Sequence, residues 1–161
     1  MIVVSDTSVI VNLAAIGRLE LMRALFSEVV LPEAVRDEVL AGGEGSPGFV
    51  EIQTLPWIQT RAVSDRRMVA ELQAELDAGE AEAIVLAKEL HADLLIDERR
   101  GAEVAERLGI FHTGLLGVLL RAKRERHLPL IQPCLEQLTR ETTFRMSAAV
   151  RLAVLGMAGE A

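Results

Sequence analysis

The sequence predicts an α/β protein, a three-layer α/β/α sandwich built on a mainly parallel sheet. Three observations lead there. Short aliphatic and β-branched runs, Val3-Val4, Val29-Val30-Leu31 and Leu94-Leu95-Ile96, alternate with segments of helical apolar spacing. Runs that are apolar throughout suit strands covered on both faces, as in parallel sheets. Half of the 161 residues are hydrophobic, enough for one domain with a sizeable core. Finally, two of the runs lead into a carboxylate, Asp6 and Asp97. Ligands of such sheets gather at the strands' carboxyl ends, so both acids are aimed at one edge.

The elements follow in chain order. Met1 to Ser5 is the first strand, and Asp6-Thr7-Ser8 can cap a helix whose spacing continues to Ala15. A second helical pattern, Leu19 to Phe26, follows a break at Gly17. Glu28 to Leu31 is the next strand. Pro32 opens a helix at a position where its missing amide is harmless; Val35, Val39 and Leu40 give that helix its apolar stripe, and Glu38 belongs to it. Gly42 to Gly48 is too rich in glycine and proline to be other than a loop. From Phe49 to Val63, Ile52, Leu55, Trp57 and Ile58 alternate in part, which predicts a short strand or an irregular edge.

A helix over Asp65 to Leu76 is interrupted by Asp77-Ala78-Gly79 before another runs from Glu80 to Leu90. Leu94 to Ile96 is a strand, Gly101 to Leu108 a helix stopped at Gly109, Ile110 to Thr113 a short strand, and Leu115 to Lys123 a helix. Leu128-Pro129-Leu130 is a break, after which Cys134 to Glu141 and Ser147 to Leu155 carry helical patterns. The expected division is a domain over residues 1–130 and a helical extension over 131–161. That extension is apolar enough, through Leu135, Leu138, Val150, Leu152, Val154 and Leu155, to pack on the same domain or on a second protomer.

The bulk numbers exclude several classes. A net charge of -7 argues against a protein that wraps nucleic acid by charge alone, and one Trp with no Tyr argues against a base-stacking platform. Cys134 is the only cysteine and reads as a packing residue; His91, His112 and His127 show no ligand spacing. No apolar stretch is long enough to span a bilayer and the start has no signal-like character, so a soluble, cytoplasmic chain is expected.

The acids carry the chemistry. A carboxylate near an apolar interior is costly unless it is paired, protonated or bound to a cation. At about 100° per residue, Glu80 shares a helix side with Ala83, Ile84 and Ala87, which makes it the inward acid, while Glu82 lies with Glu89 on the opposite side. Glu38 stands among Arg36 and Asp37, where a charged helix face facing solvent is the alternative. Acids from separate segments gathered at one sheet edge suit Mg²⁺ or Mn²⁺, and such a site can activate water against a phosphodiester. Arg99, Arg100, Arg121, Lys123 and Arg124 are candidates to receive phosphate, set against a salt-bridged, solvated face.

Four segments in order, Val3 to Ile10, Leu31 to Val39, Leu76 to Ile84 and Asp93 to Gly101, resemble the PIN-domain family, as do Ala105 to Ile110 and Thr113 to Leu119. The match is closest to small prokaryotic PIN proteins similar to VapC-type toxin ribonucleases, in a subgroup where a Gly-Glu-x-Glu-Ala segment replaces the usual Asp-Ala one. The resemblance covers about residues 1 to 130. It implies that Asp6, Glu38, Glu80 and Asp97 bind Mg²⁺ or Mn²⁺ and cut RNA, with Ser8 supporting the first acid. It also implies a homodimer restrained by a small antitoxin. Glu82 is the alternate to Glu80, and Glu98 to Asp97. Leu95 or Ile96 stands where many PIN proteins have a Thr, which opens the alternative of a weak or inactive PIN module that binds nucleic acid or a protein partner.

Overall fold

The computed structural model describes residues 1–161. Strand β1 (Ile2–Ser5) is the middle of a five-stranded sheet. It is flanked by β2 (Glu28–Pro32) and by β4 (Asp93–Leu95), with β3 (Ile58–Arg61) outside β2 and β5 (His112–Thr113) outside β4. Every pairing is parallel; Val3 stands opposite Val29 on one side and Asp93 on the other. The expected parallel sandwich is therefore present. The chain moves outward from β1 to β2 and β3, then returns to add β4 on the other side, so the order reverses at β1 and leaves a crevice beyond the carboxyl ends of β1 and β4.

Strand side chains alternate between two cores. Val3, Val29, Leu31 and Leu95 face one; Val4, Val30, Leu94 and Ile96 face the other. Because both faces are covered, the strands read as unbroken apolar runs. The first core also takes Ile10 and Leu13 of α1 (Thr7–Ala15), Met22 of α2 (Glu20–Leu25), Val35 and Val39 of α3 (Glu33–Ala41), and Leu115 and Leu119 of α8 (Leu115–Arg124). Leu135 and Leu138 of α9 (Gln132–Glu141) and Val154 and Leu155 of α10 (Ala148–Met157) join that same core, whereas Val150 and Leu152 are exposed. The second core is filled by α5 (Arg66–Leu72), α6 (Ala78–Leu90) and α7 (Arg99–Arg107).

Several boundaries differ from the expected ones by a few residues. The uncertain stretch after Phe49 holds a single helical turn, α4 (Glu51–Thr54), before β3, which does lie at the sheet edge. Helix α5 stops at Leu72 rather than Leu76. Helix α6 starts at Ala78 rather than Glu80, because Asp77 caps it: the Asp77 carboxylate accepts from the Glu80 amide at 2.8 Å and Glu80 Oε1 accepts from the Asp77 amide at 3.2 Å. No helix is long and apolar enough to cross a membrane.

Helix α6 also organises its neighbours. Glu82 Oε1 accepts from Ala34 N at 3.0 Å and so caps α3, while Glu89 accepts from the amides of Ser64 and Asp65 just before α5. Glu82 Oε2 is further held by Arg66 at 3.1 Å. One face of α6 therefore carries the caps of two other helices.

Candidate active site at the carboxyl ends of β1 and β4

Asp6 follows β1 directly and is buried. Its Oδ1 accepts from Val9 N at 3.0 Å, so it is the helix cap its position suggested, and its Oδ2 accepts from Asp97 N at 3.2 Å. Burial pushes its carboxyl up from 3.8 to about 7; the nearby charges of Asp97 and Glu80 add to this, and the Val9 and Asp97 amides oppose it.

Asp97 lies two residues beyond β4. Helix α8 has Gly114 at its cap position, with no side chain to offer, and Asp97 fills that role from across the crevice: its Oδ1 accepts from Leu115 N at 2.9 Å. A Cβ on Gly114 would overlap that oxygen, so only glycine fits there. Asp97 Oδ2 is buried and has no partner. Burial raises the Asp97 pKa against the pull of the Leu115 amide and the Ser8 hydroxyl.

Glu80 enters from the first turn of α6, and its Oε2 lies 3.5 Å from where a Cβ on Gly101 would stand. Burial raises its pKa, and the charges of Asp77 and Glu98 raise it further. Glu38, on α3, accepts the Thr7 hydroxyl at 2.6 Å, and the same oxygen would stand 3.1 Å from a Cβ on Gly79. Glu38 is exposed, yet it faces the same cavity rather than open solvent alone.

Asp6, Glu38, Glu80 and Asp97 thus line one cavity of about 300 Å³, together with Thr7, Ser8, Asp77 and Glu98. Its only apolar lining residue is Phe144, from the loop between α9 and α10. In their present rotamers, no three of the acids stand close enough to share an ion. The donor set nevertheless fits a hard cation: every donor is a carboxylate or hydroxyl oxygen, one buried carboxylate oxygen lacks a partner, and burial raises the pKa of three of the acids. Helices α1, α6 and α8 all begin at the cavity, so their positive ends offset part of the clustered charge.

Several expected roles move. Glu80 and Glu82 do lie on different sides of α6, but Glu82 is the more buried, at 7% exposure, because it caps α3 and pairs with Arg66; it does not line the cavity, and the description of Glu80 as the inward acid is corrected. Ser8 lines the cavity with Asp6 and Asp97, and its hydroxyl accepts from Asn12 Nδ2 at 3.2 Å. Glu98 lines the cavity beside Asp97, so both are present.

The cations divide. Arg99 and Arg100 open α7 next to Glu98, with Arg99 bonded to Glu103. Arg121, Lys123 and Arg124 are not brought to the acids. Helix α8 begins at Leu115, bonded to Asp97, and its 10 residues carry its last turn away from the crevice, so that Arg124 shares a hollow with Met1 at the amino end of β1. There Arg121 bonds Glu125 and lies 5.0 Å from the centre of the Phe26 ring, Lys123 pairs with Glu160, and Arg124 lines a separate hollow with Met1 and Asp93.

Asp77, Thr7 and Phe144 were not among the expected site residues. The first could have been found from its spacing, since Asp77-x-x-Glu80 is a capping pattern, and Thr7 from its place beside Asp6. Phe144 carries no local signal, being far along the chain in an irregular loop.

Comparison with known proteins agrees with this architecture. A PilT N-terminus domain protein, SSO1118, from the hyperthermophilic archaeon Sulfolobus solfataricus P2 shares the fold at a TM-score of 0.55 and 18% identity, covering 76% of this chain and 93% of that one. No match was found among curated proteins. A family model described as a PIN domain, DUF3368, matches residues 2–160. PIN domains are a nuclease-type fold, and with nearly the whole length matched, the chain belongs to the PIN-domain family.

Proposed function

We propose that the chain is a Mg²⁺- or Mn²⁺-dependent endoribonuclease and the toxin component of a toxin–antitoxin pair. The observation that carries this reading is the buried, unpartnered Oδ2 of Asp97, adjacent to an Asp6 carboxyl that burial has pushed up to about 7. A buried carboxylate oxygen without a donor is costly, and a cation would satisfy it. Asp6, Glu38, Glu80 and Asp97, which line the cavity together, would hold the ion. When bound, such an ion lowers the pKa of water and stabilises charge on the oxygens of a phosphodiester.

The protein's own groups complete the chemistry. The Val9 and Asp97 amides fix the Asp6 carboxylate, the Leu115 amide fixes Asp97, and the Thr7 hydroxyl fixes Glu38. Glu80, whose pKa is raised by burial and by the charges of Asp77 and Glu98, lines the same cavity and would sit with the other three acids around the ion. A homodimer restrained by a small antitoxin is the assembly that accompanies this reading.

A second reading, a PIN module that binds nucleic acid or a protein partner without cutting, draws on the absence of three acids at ligand spacing. Cleavage of a mixed RNA panel by the purified protein, with Mg²⁺ or Mn²⁺ added or chelated and with Asp6→Asn alongside, separates the two. The nuclease reading expects metal-dependent cutting that the variant loses; undiminished cutting by the variant defeats the assignment of Asp6.

A further inference from the structure

Phe144 is the one apolar side chain on a wall otherwise made of acids and hydroxyls. Its loop is fixed: the Thr142 hydroxyl donates to Leu138 O at 2.6 Å and accepts from Phe144 N at 3.1 Å. The ring is half-buried, with one side packed on the core that α1, α8 and α9 share. An apolar ring placed against carboxylates increases their desolvation and gives them no hydrogen bond. Core packing alone does not account for a ring left open to such a cavity.

The next residue has the complementary property. Arg145 is exposed, and its Nη1 donates to the carbonyl oxygens of Thr142 and Phe144 at 2.8 and 2.7 Å; in a chain with an excess of acids it pairs with no carboxylate. Its charge is left without an acidic partner, one residue along the chain from the cavity lining. A flat apolar face followed by an unpaired guanidinium is the pair of features that single-stranded nucleic acid requires, a base to stack and a phosphate to neutralise. Aromatic residues make up 3% of the chain, too few for a stacked array, but one ring serves one base.

We propose that Phe144 is the stacking platform for an unpaired nucleobase beside the phosphate that lies over the acids, and that Arg145 contacts the neighbouring phosphate. A platform of this kind takes an unpaired base and not a base within a continuous duplex, which presents no free face. This deepens the ribonuclease reading and rests on it for the position of the phosphate.

The test uses the full-length chain and short single-stranded RNAs carrying one 2-aminopurine between uridines, with Ca²⁺ in place of Mg²⁺ to retain uncut substrate. Stacking on an aromatic ring quenches that fluorophore. Phe144→Trp and Phe144→Leu keep an apolar side chain against the core, and thermal unfolding checks that both fold. Wild type and Phe144→Trp should quench and bind alike, whereas Phe144→Leu should lose the quench and about ten-fold in affinity. Arg145→Gln should flatten the salt dependence by about one counterion. Failure of the wild type to bind, equal binding by Phe144→Leu, or equal binding of an abasic RNA each overturns the proposal. Metal-dependent cleavage indifferent to Phe144→Leu would sink the platform and leave the nuclease standing. Phe144-dependent quenching with no cleavage under Mg²⁺ or Mn²⁺ would do the reverse.

Discussion

The backbone amide of Asp97 donates to the side chain of Asp6 at 3.2 Å, across the boundary between β4 and β1. The two acids are therefore not independent neighbours: the main chain that places one also orients the other. Since Asp6 is in addition the cap of α1 and Asp97 that of α8, the groups nearest the chemistry are also structural groups.

Stability of the metal-free protein should fall between acid and neutral pH. Asp6 ionises near 3.8 in the unfolded chain and at about 7 in the folded one, so between those values the folded state holds more protons. Stability is then lost as pH rises through the window, by at most ~4 kcal/mol. Denaturant unfolding in chelator at pH 5 and pH 8 measures it. Asp6→Asn should have a much flatter dependence; an unchanged slope would remove Asp6 as its source.

Asp97→Asn should keep the fold, because its amide oxygen can still accept from Leu115 N. It replaces the unpartnered charged oxygen with a neutral group. Thermal unfolding at pH 8 should show a rise in Tm on adding Mn²⁺ to wild type and little or none in the variant. The same metal-induced rise in both would exclude Asp97 as a ligand.

Two glycine substitutions should behave differently. In Gly79→Ala the new methyl lies 3.1 Å from Glu38 Oε2, the end of a flexible side chain that can move by a few tenths of an ångström. The helix should gain roughly 0.5 kcal/mol while cleavage falls several-fold. In Gly114→Ala the methyl overlaps Asp97 Oδ1, which cannot yield without uncapping α8, so stability and cleavage should fall together. Equal effects in the two variants, by unfolding and by cleavage rate, would contradict this distinction.

Removing a cap supplied from a distance should be costly. Glu160 accepts from Ile131 N at 2.8 Å and Gln132 N at 3.0 Å at the start of α9, and pairs with Lys123 at 2.8 Å. Glu160→Ala should destabilise by about 2–3 kcal/mol, and Glu82→Ala, which uncaps α3, by a similar amount. Substituting exposed Glu103 or Glu71 provides the comparison, with an expected change within about 0.5 kcal/mol.

The β1 and β4 runs, and the acids that end them, could be read directly because a strand covered on both faces leaves an unbroken apolar signature. Glu80 was separable from Glu82 by helical phase, since phase is a local property. The burial of Glu82 was not, because it depends on α3 arriving at the same face of α6 from nearly fifty positions away in the chain. Ser8 is near Asp6 in sequence, and the fold adds Asp97 to the same cavity. Likewise, a run of cations reads as one patch, but α8 carries Arg121, Lys123 and Arg124 away from the crevice while α7 starts Arg99 and Arg100 beside it. Phase and composition describe an element; which end of it meets the site is decided by topology.

The contact between Asp97 and Asp6 joins residues 91 positions apart. Because β1 is central, it cannot be enclosed on its second side until β4 has been synthesised and has folded back against it. Closing so large a loop is entropically slow, and contacts of such separation lower folding rates. The crevice is therefore a late product of folding: a chain emerging from the ribosome holds Asp6, Glu38 and even Glu80 well before it holds a site. Any activity that needs the joined acids is withheld from incomplete chains by the order of the strands alone.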